Sequence, residues 1–476
     1  MALDCRWRQA YRRRVASFLE FLMVKQAGGR NAVFTHGSTM RHVIVMTSTA
    51  AIGMMALFFV DIITLFYISQ LNDPAQTAAV GRAGYVIGFL IAVSVGMMIG
   101  SSVLIARAIG GGKEDMAKRF AGSALVGTAI IGTIFATISI LLVNWFLDLL
   151  GAEGVALSHA QRYLLIILPG MPFMSVGTIC IGILRAWGAA RESMYITLAG
   201  GILTATLDPI FIFVLGMEVT GAAIVTLIAR ISFTAYGLYL VMVAADMVKF
   251  SDMKQIGTDV LEMAKYGVPA IFTNLAAPVG AFIIAQKIAE YGDMALAGQA
   301  VVDRLIPLAF GVIFALSGAV GPIIGQNFGA GLMGRTRQTL IDGMIFSIVY
   351  VMLAWAILYL ARNAIISAFL ATGDMALMID LFCRIAAAAF LFNGLLFVTN
   401  AAFNNLGKPL WATAFNWSRQ TIGVLPFITL GAMWGDLTGI AYGIVAGSIP
   451  FALIAIYTAF RLIKFHDTSI KARAPV

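Results

Sequence analysis

Runs of about twenty apolar residues recur along this chain from about residue 43 to residue 463, separated by short polar breaks. Each run is long enough to cross the roughly 30 Å hydrocarbon core of a bilayer as a helix, and we count about twelve. Only 12% of the 476 residues are charged, whereas a soluble protein carries about a quarter. The runs contain Gly and Pro and are too long for barrel strands. The sequence therefore predicts an all-α integral membrane protein with twelve transmembrane helices.

Basic residues are concentrated in alternate polar breaks. They follow the second, fourth, sixth, eighth and tenth runs, at Lys113, Lys118, Arg119, Arg191, Lys249, Lys254, Arg335, Arg337 and Lys408. By the positive-inside rule these breaks and both termini are predicted to be cytoplasmic, in a multi-pass protein of the inner (plasma) membrane. The arginine cluster near the N-terminus is explained by this topology and by contact with anionic lipid, so membrane lipid is an expected partner and nucleic acid is not.

The chain contains an internal repeat. The segments SSVLIARAIGGGKEDMAKR and VGPIIGQNFGAGLMGRTRQ both end an apolar run in a glycine turn that leads into basic residues. Gly110 then corresponds to Gly329, at an offset of 329 − 110 = 219, and the same offset places Gly188 on Gly407. A duplicated unit with an even number of spans keeps its orientation in the membrane. We therefore expect two pseudo-symmetric six-helix lobes around a central cavity.

Five segments follow from this repeat and from the polar breaks. A basic cytoplasmic segment (1–37) precedes an N-lobe that contains helices 1–6 (38–245). A cytoplasmic linker (246–262) leads to a C-lobe that contains helices 7–12 (263–464), and a cytoplasmic tail (465–476) ends the chain. Two similar lobes around a cavity favour a protein that alternates between two openings.

A carboxylate precedes a proline inside the fifth apolar run, in TLDPIFIF. A charged side chain at mid-membrane costs roughly 2.5–3.5 kcal/mol, so Asp208 is a candidate functional group. Pro209 is expected to bend the helix and to free carbonyls near Thr204, which lies one turn before Asp208 on the same face. These groups can bind a proton or a small hard cation, and desolvation favours the neutral carboxyl. The alternative is an aspartate that pairs with an arginine or caps the bend.

Other charged residues also fall inside apolar runs. Asp61, near the middle of the first run, is the second candidate, and its alternative is a hydrogen bond within the bundle. Asp303 and Arg304 are adjacent early in the eighth run, so on a helix they point apart and favour separate structural partners. Three arginines favour structural or snorkelling roles: Arg230, Arg384 and Arg419. At the repeat offset Asp61 and Asp208 fall on uncharged residues, so ion coupling is expected in the N-lobe.

Catalytic and metal-binding patterns are not evident. Cys5, Cys180 and Cys383 are scattered, and the four histidines fall near loops or ends of runs, so neither a disulfide framework nor a metal site is predicted. A membrane enzyme would need a nucleophile–base or metal constellation, which we do not find. A channel would need matched pore-lining rings, which the unequal halves do not provide. No cofactor is expected beyond a coupling ion, H⁺ or Na⁺.

Five ordered segments resemble the multidrug and toxic compound extrusion (MATE) family of secondary transporters: FFVDIITLFYISQL, LRAWGAARESM, TLDPIFIF, VTGAAIVTLIAR and VGPIIGQNFGAG. The resemblance covers the chain from about residue 38 to about residue 462. It implies twelve helices in two lobes around a V-shaped cavity, and antiport of organic, often cationic or amphiphilic, compounds against protons or sodium ions. The alternative is a lipid-linked oligosaccharide flippase of the same superfamily, which would need a strongly cationic cavity.

The resemblance also implies roles for individual residues. It gives ion-coupling roles to three side chains: Asp61, Asp208 and Thr226. The family's asparagine before the Asp–Pro pair is Thr204 here, which we still place with the ion-coupling group. The acids of one sodium-binding branch fall on Ala277 and Asn393, and these departures favour protons over sodium.

The substrate cavity is harder to place from the sequence. We expect Asn393, Asp303 and Arg304 to contribute to it. The substrates are predicted to be small organic compounds, and an arginine in the cavity would admit anionic or zwitterionic ones. A monomer is expected.

Overall fold

The computed structural model describes residues 32–71, 73–149, 151 and 153–473, and no strand occurs in these ranges. The arginine cluster near the N-terminus and Cys5, on which the sequence analysis drew, lie outside the described residues. Eleven helical segments of the described part are long and apolar enough to cross a membrane. The protein is therefore a multi-pass membrane protein.

Six of these segments form the N-lobe: α1 (Thr39–Ser69), α2 (Pro74–Gly110), α3 (Glu114–Leu141), α4 (Gly154–Trp187), α5 (Ala190–Val214) and α6 (Glu218–Ala244). A short helix, Val143–Leu149, joins α3 to α4. The C-lobe contains α7 (Met253–Ala289), α8 (Asp293–Gly329), α9 (Met333–Ala368), α10 (Gly373–Asn405) and the long segment Pro409–Ala472. Helix α7 begins inside the stretch predicted as a linker, and the last helix continues to Arg473, within the predicted tail.

The long segment Pro409–Ala472 crosses the membrane twice. Its backbone leaves the helical region at Gly435 (φ −156°, ψ 24°) and Asp436 (φ 50°, ψ −136°), where the chain reverses. The two arms then pack closely, since a Cβ at Gly431 would lie 2.1 Å from the carbonyl oxygen of Gly439. We call the arm before this break α11 (409–434) and the arm after it α12 (437–472). This reversal gives the twelve helices in two lobes that the sequence predicts.

Pairs of contacts between the lobes repeat with the predicted offset. Arg107 Nε of α2 donates a hydrogen bond to Asn405 O of α10 over 3.1 Å. Gln326 Nε2 of α8 donates to Ala186 O of α4 over 2.7 Å. The equivalent positions are 219 apart in both cases, because 326 − 107 = 219 and 405 − 186 = 219. The lobes are therefore related by a pseudo-twofold axis that passes between these two contacts.

Glycines allow the lobes to touch backbone to backbone at one end of the bundle. A Cβ at Gly110 would lie 2.0 Å from Gln326 O, and a Cβ at Gly329 would lie 2.2 Å from Arg107 O. The loop before α1 fills the same end, where Phe34 N–H donates to Gln326 Oε1 over 2.9 Å. We call this the basic end, since the basic turns that follow the even-numbered helices lie there. These contacts join the lobes at the basic end.

Candidate functional site

Asp208 lies in α5 at the point where the helix becomes irregular. Pro209 keeps helical dihedrals (φ −63°, ψ −30°), and the helix widens immediately after it, over Ile210–Val214. Leu215 N–H then donates to Ile210 O over 2.9 Å, which is the wide turn of a π-bulge. Such bulges are frequent at functional sites. The sequence correctly indicates an irregular helix here, but most of the irregularity follows the proline.

The Asp208 carboxyl is buried and is bonded on one side only. Its side chain has no exposed surface, and its Oδ2 accepts a hydrogen bond from the Thr64 hydroxyl of α1. Its Oδ1 is buried and has no partner among the described residues. No ion pair within 4 Å is found for Asp208 in that part of the chain, so the arginine-paired alternative does not apply.

Asp61 lies one turn before Thr64 on the same face of α1. It is eight residues from the end of α1 (69 − 61 = 8), so it is nearer that end than the predicted middle of the helix. Its side chain is accessible, in contrast to Asp208. It is close enough to the buried Arg230 and to Asp208 for electrostatic interaction. Because these neighbours belong to α5 and α6, Asp61 faces the interior of the N-lobe.

Three further side chains complete this cluster. The buried Arg230 of α6 donates from Nη1 to Ile167 O over 3.0 Å and lies near Tyr163 of α4. The phenol of Tyr163 is in turn adjacent to Thr226. We call Asp61, Thr64, Tyr163, Asp208, Thr226 and Arg230 the N-lobe cluster. It brings together polar groups from α1, α4, α5 and α6.

The hydroxyls of Thr204, Thr64 and Thr226 have different partners. Thr204 does not bond Asp208, because its hydroxyl donates to Gly200 O one turn back, over 3.0 Å. The threonine that bonds Asp208 is Thr64, on another helix. Thr226 is in the cluster as predicted, although its hydroxyl also donates to a carbonyl of its own helix, Ala222 O, over 2.9 Å.

A cavity of about 640 Å³ lies mainly in the C-lobe, between α7, α8, α10, α11 and α12, and Met54, Val95 and Ile99 of the N-lobe also line it. We call it the C-lobe cavity. Its polar lining consists mainly of amide side chains, from Asn274, Gln299, Asn393, Asn400, Asn404, Asn416 and Gln420. Asp303 and Asn393 line it as predicted, but Arg304 does not, since adjacent helical residues point in different directions. Only two of its lining residues are charged, Asp303 and Arg419.

An aromatic wall completes this cavity. Phe390 of α10 stacks on Phe310 of α8, with ring centroids 4.0 Å apart and planes 4° from parallel. Phe314 meets the Phe390 ring edge-on, with centroids 6.4 Å apart, and Phe397 also packs against Phe314. Flat apolar surface beside amide groups suits planar organic compounds. A cavity with one acid and one base lacks the strong positive charge that the flippase alternative requires.

Metal ligands are not clustered in either lobe. No group of three or more His, Cys, Asp or Glu side chains that could hold a metal ion occurs among the described residues. Ala277, where one family branch has an acid, lines the C-lobe cavity without offering a ligand.

Comparison with known proteins shows which family this chain resembles. The MatE family profile matches the chain twice, over residues 49–210 and 269–428. The chain is 25% identical over 428 residues to a protein of Shewanella oneidensis named FAD transporter, covering 89% of this chain and 94% of that one. It is 24% identical over 415 residues to the multidrug export protein MepA of Staphylococcus aureus, covering 86% and 91%.

Solved structures share the fold. A MATE crystal structure superposes with a TM-score of 0.86 at 21% identity, covering 93% of this chain and 100% of that one. The bent form of the Vibrio cholerae MATE transporter VcmN superposes with a TM-score of 0.85 at 23% identity, covering 90% and 98%. At this identity the likeness establishes the fold alone.

Proposed function

The chain belongs to the MatE family of membrane transporters, and from that premise we propose that it exports organic compounds in exchange for protons by alternating access. Asp61 and Asp208 are the proton-carrying groups in this proposal. The observation that carries it is the state of Asp208, a buried carboxyl with one oxygen bonded by Thr64 and the other without a partner. An unpaired buried oxygen is costly, and a proton bound there removes the charge.

The two acids have complementary positions for a proton path. The side chain of Asp61 is exposed, whereas Asp208 is fully buried. A proton that arrives from the open side reaches Asp61 first and then the inner carboxyl. Their mutual repulsion makes it easier for one acid to ionise when the other is neutral.

Proton binding must be coupled to the opening of the lobes. The Thr64–Asp208 bond links α1 to α5, so neutralising Asp208 weakens one link within the N-lobe. Such coupling works only where the proton binds with different affinity in the two conformations. A membrane potential of 100 mV adds about 2.3 kcal/mol for each charge moved across the membrane. In this mechanism the outward-facing lobes bind protons, release the compound and then open to the cytoplasm.

Sodium is the alternative coupling ion. A sodium site needs several oxygen ligands, and the N-lobe cluster offers two carboxylates for such a role. The basic Arg230 near Asp61 disfavours a cation at the same place. Protons therefore remain the favoured coupling ion.

The test uses the full chain reconstituted in vesicles, with proton and sodium gradients imposed separately. Asp61→Asn and Asp208→Asn should each abolish proton-driven export of a dye and leave the protein folded. Asp252→Asn, at an exposed position before α7, is the matched control and should export at the wild-type rate. Export at the wild-type rate by both Asp61→Asn and Asp208→Asn would overturn the assignment. Export that only a sodium gradient drives would show that sodium, and not the proton, is the coupling ion.

The substrate class is proposed from the C-lobe cavity. Its aromatic wall and amide groups suit planar organic compounds, and a lining with one base, Arg419, and one acid, Asp303, suits cargo of either charge. The Shewanella relative is named a FAD transporter, so anionic aromatic compounds stand as a second class beside cationic dyes. Competition of FAD and of a cationic dye for export, measured in the same vesicles, separates the two classes.

A further inference from the structure

A second, small cavity lies between the lobes near the basic end. It has a volume of about 30 Å³ and is lined by α2, α4, α8 and α10. A water needs about 10–15 Å³ of such space, so the cavity has room for a single small ion or about two waters. An organic substrate does not fit. The cavity shares Ile99, Ser317 and Asn404 with the lining of the C-lobe cavity, so it lies beneath the floor of that cavity.

The small cavity lies on the pseudo-twofold axis between the lobes. Its lining residues match in pairs at the repeat offset: Ile99 pairs with Gly318, since 318 − 99 = 219, and Ser102 pairs with Gly321, since 321 − 102 = 219. Arg185 of α4 pairs in the same way with Asn404 of α10 (404 − 185 = 219). One lobe therefore contributes a guanidinium at a place where the other contributes an amide.

Arg185 is a buried cation without a counterion. Only 9% of the residue is exposed, and its Nε is buried without a partner. Within the described part of the chain no hydrogen bond or ion pair to a protein group is found for its guanidinium, and no acidic side chain lines the cavity. Burying an unpaired charge costs several kcal/mol. Two amide oxygens of the same lining, Asn404 Oδ1 and Asn405 Oδ1, are also buried without a partner among the described residues, so a ligand or water that the chain does not supply must complete this group of donors and acceptors.

Arg107, a second arginine at the same interface, has hydrogen-bond acceptors for its guanidinium within the protein. It donates to Asn405 O over 3.1 Å, to Asn404 O over 3.3 Å and to the Tyr266 hydroxyl over 2.9 Å. These acceptors include carbonyls at the end of a helix, which carry partial negative charge. Arg185 reaches none of them.

We propose that this cavity binds one small inorganic anion of the chloride type, held by Arg185 between the lobes. The serine hydroxyls of Ser102 and Ser317, which line the same space, supply the uncharged donors that such an ion uses. The glycine on the C-lobe side provides the room, because a Cβ at Gly318 would lie 3.1 Å from Arg185 Nη1. The anion bridges α4 of one lobe to α8 and α10 of the other.

A bridging anion stabilises one conformation more than the other. When the lobes part at the basic end, Arg185 faces water, which solvates the guanidinium without an anion. The anion therefore binds tightly only when the basic end is closed, and its presence shifts the protein toward that state. This role is separate from proton coupling, since none of the residues of the N-lobe cluster lines the small cavity.

The first experiment measures the melting temperature of the purified full chain at constant ionic strength. Chloride or bromide should raise it saturably over gluconate, which is too large for the cavity, by about 2 °C at ten times the dissociation constant. The anion effect should disappear in Arg185→Gln and shrink in Gly318→Ala, which keeps the charge but narrows the space. Arg107→Gln is the matched control and should retain it. No halide effect in the wild type, or an equal effect in Arg185→Gln, overturns the proposal.

The second experiment locates the ion. Crystals grown in bromide should give an anomalous peak within about 3.5 Å of the Arg185 guanidinium, the range of a hydrogen bond to a large anion. Two waters in place of the peak overturn the proposal. Both readouts are independent of transport, so they are unaffected if the acids of the N-lobe cluster prove not to carry protons.

Discussion

The Thr64 hydroxyl of α1 donates a hydrogen bond to the buried carboxyl of Asp208 in α5, and among the described residues this is the only hydrogen bond found for either oxygen of the acid. The bond ties the acid to the helix that also carries Asp61, one turn away. A change in the charge of Asp208 therefore directly changes the strength of a hydrogen bond made by α1. The acid is positioned by a residue that is itself not ionisable.

Thr64→Val tests this positioning role. Valine has a similar shape but cannot donate, so Asp208 loses its only hydrogen bond, which to a charged group is worth about 1.5–3 kcal/mol. Proton-driven export in vesicles should fall about tenfold, since 1.4 kcal/mol is a factor of ten. Thr64→Ser keeps the hydroxyl and should restore most of the rate. Equal export by the valine and serine variants would contradict the role.

Gly329→Ala tests whether closure at the basic end is required for transport. The added Cβ would lie 2.2 Å from Arg107 O, a backbone atom that cannot move aside alone, so the lobes cannot meet there. Export should be reduced at least tenfold although alanine favours a helix over glycine by about 1 kcal/mol. The control is Gly334→Ala in α9, where no atom lies within 4 Å of the added carbon. Similar rates for the two variants would show that tight closure is dispensable.

Asp259 of α7 is a buried acid that joins the lobes near the basic end. Arg119 of α3 donates to both of its oxygens over 3.2 Å, and Ser123 donates over 2.8 Å. Asp259→Ala leaves these donors unpaired, and because Arg119 is partly exposed the cost is limited to about 2 kcal/mol. The melting temperature should drop by a few degrees.

The matched control for Asp259 is Asp115, whose ion pair with Lys249 at 3.3 Å is exposed on both sides. Exposed pairs contribute about 0–1 kcal/mol, so Asp115→Ala should leave the melting temperature almost unchanged. If the two alanine variants melt at the same temperature, the bond between Arg119 and Asp259 does not stabilise the fold.

Features that follow from the apolar runs and from the internal repeat were predictable from the sequence. Twelve crossings follow from the length of the apolar runs, and the offset that places Gly110 on Gly329 predicts equivalent contacts in the two lobes. Both are local or repeated properties. Asp208 could also be found, because a carboxylate next to a proline inside an apolar run is costly wherever it points.

Contacts between distant helices were not predictable in the same way. Thr64 and Asp208 are 144 residues apart in the sequence, and nothing in the sequence near either residue indicates that they form a hydrogen bond. Thr204 was favoured for its spacing, but a threonine in a helix commonly donates to the carbonyl one turn back. The register of packing also decides that Asp303 lines the C-lobe cavity while Arg304 does not.

The charge balance of the C-lobe cavity gives a prediction about cargo. Asp303 is the only acid among its lining residues and is held by Gln299 Nε2, which donates to Oδ1 over 2.8 Å. Asp303→Asn removes this charge and leaves Arg419 as the sole charged lining residue. Export of an anionic dye should then rise relative to a cationic dye of similar size by about fivefold, or about 1 kcal/mol.

Arg304 provides the matched control for this change, because it is the next residue in α8 but does not line the cavity. Arg304→Gln alters the protein's net charge by the same amount, in the opposite sense, and should leave the ratio of the two dyes unchanged. A shift of similar size but opposite direction in Arg304→Gln would mean that the ratio responds to net charge rather than to the cavity. A shift in Asp303→Asn alone would show that the lining of the C-lobe cavity determines the preference for cargo charge.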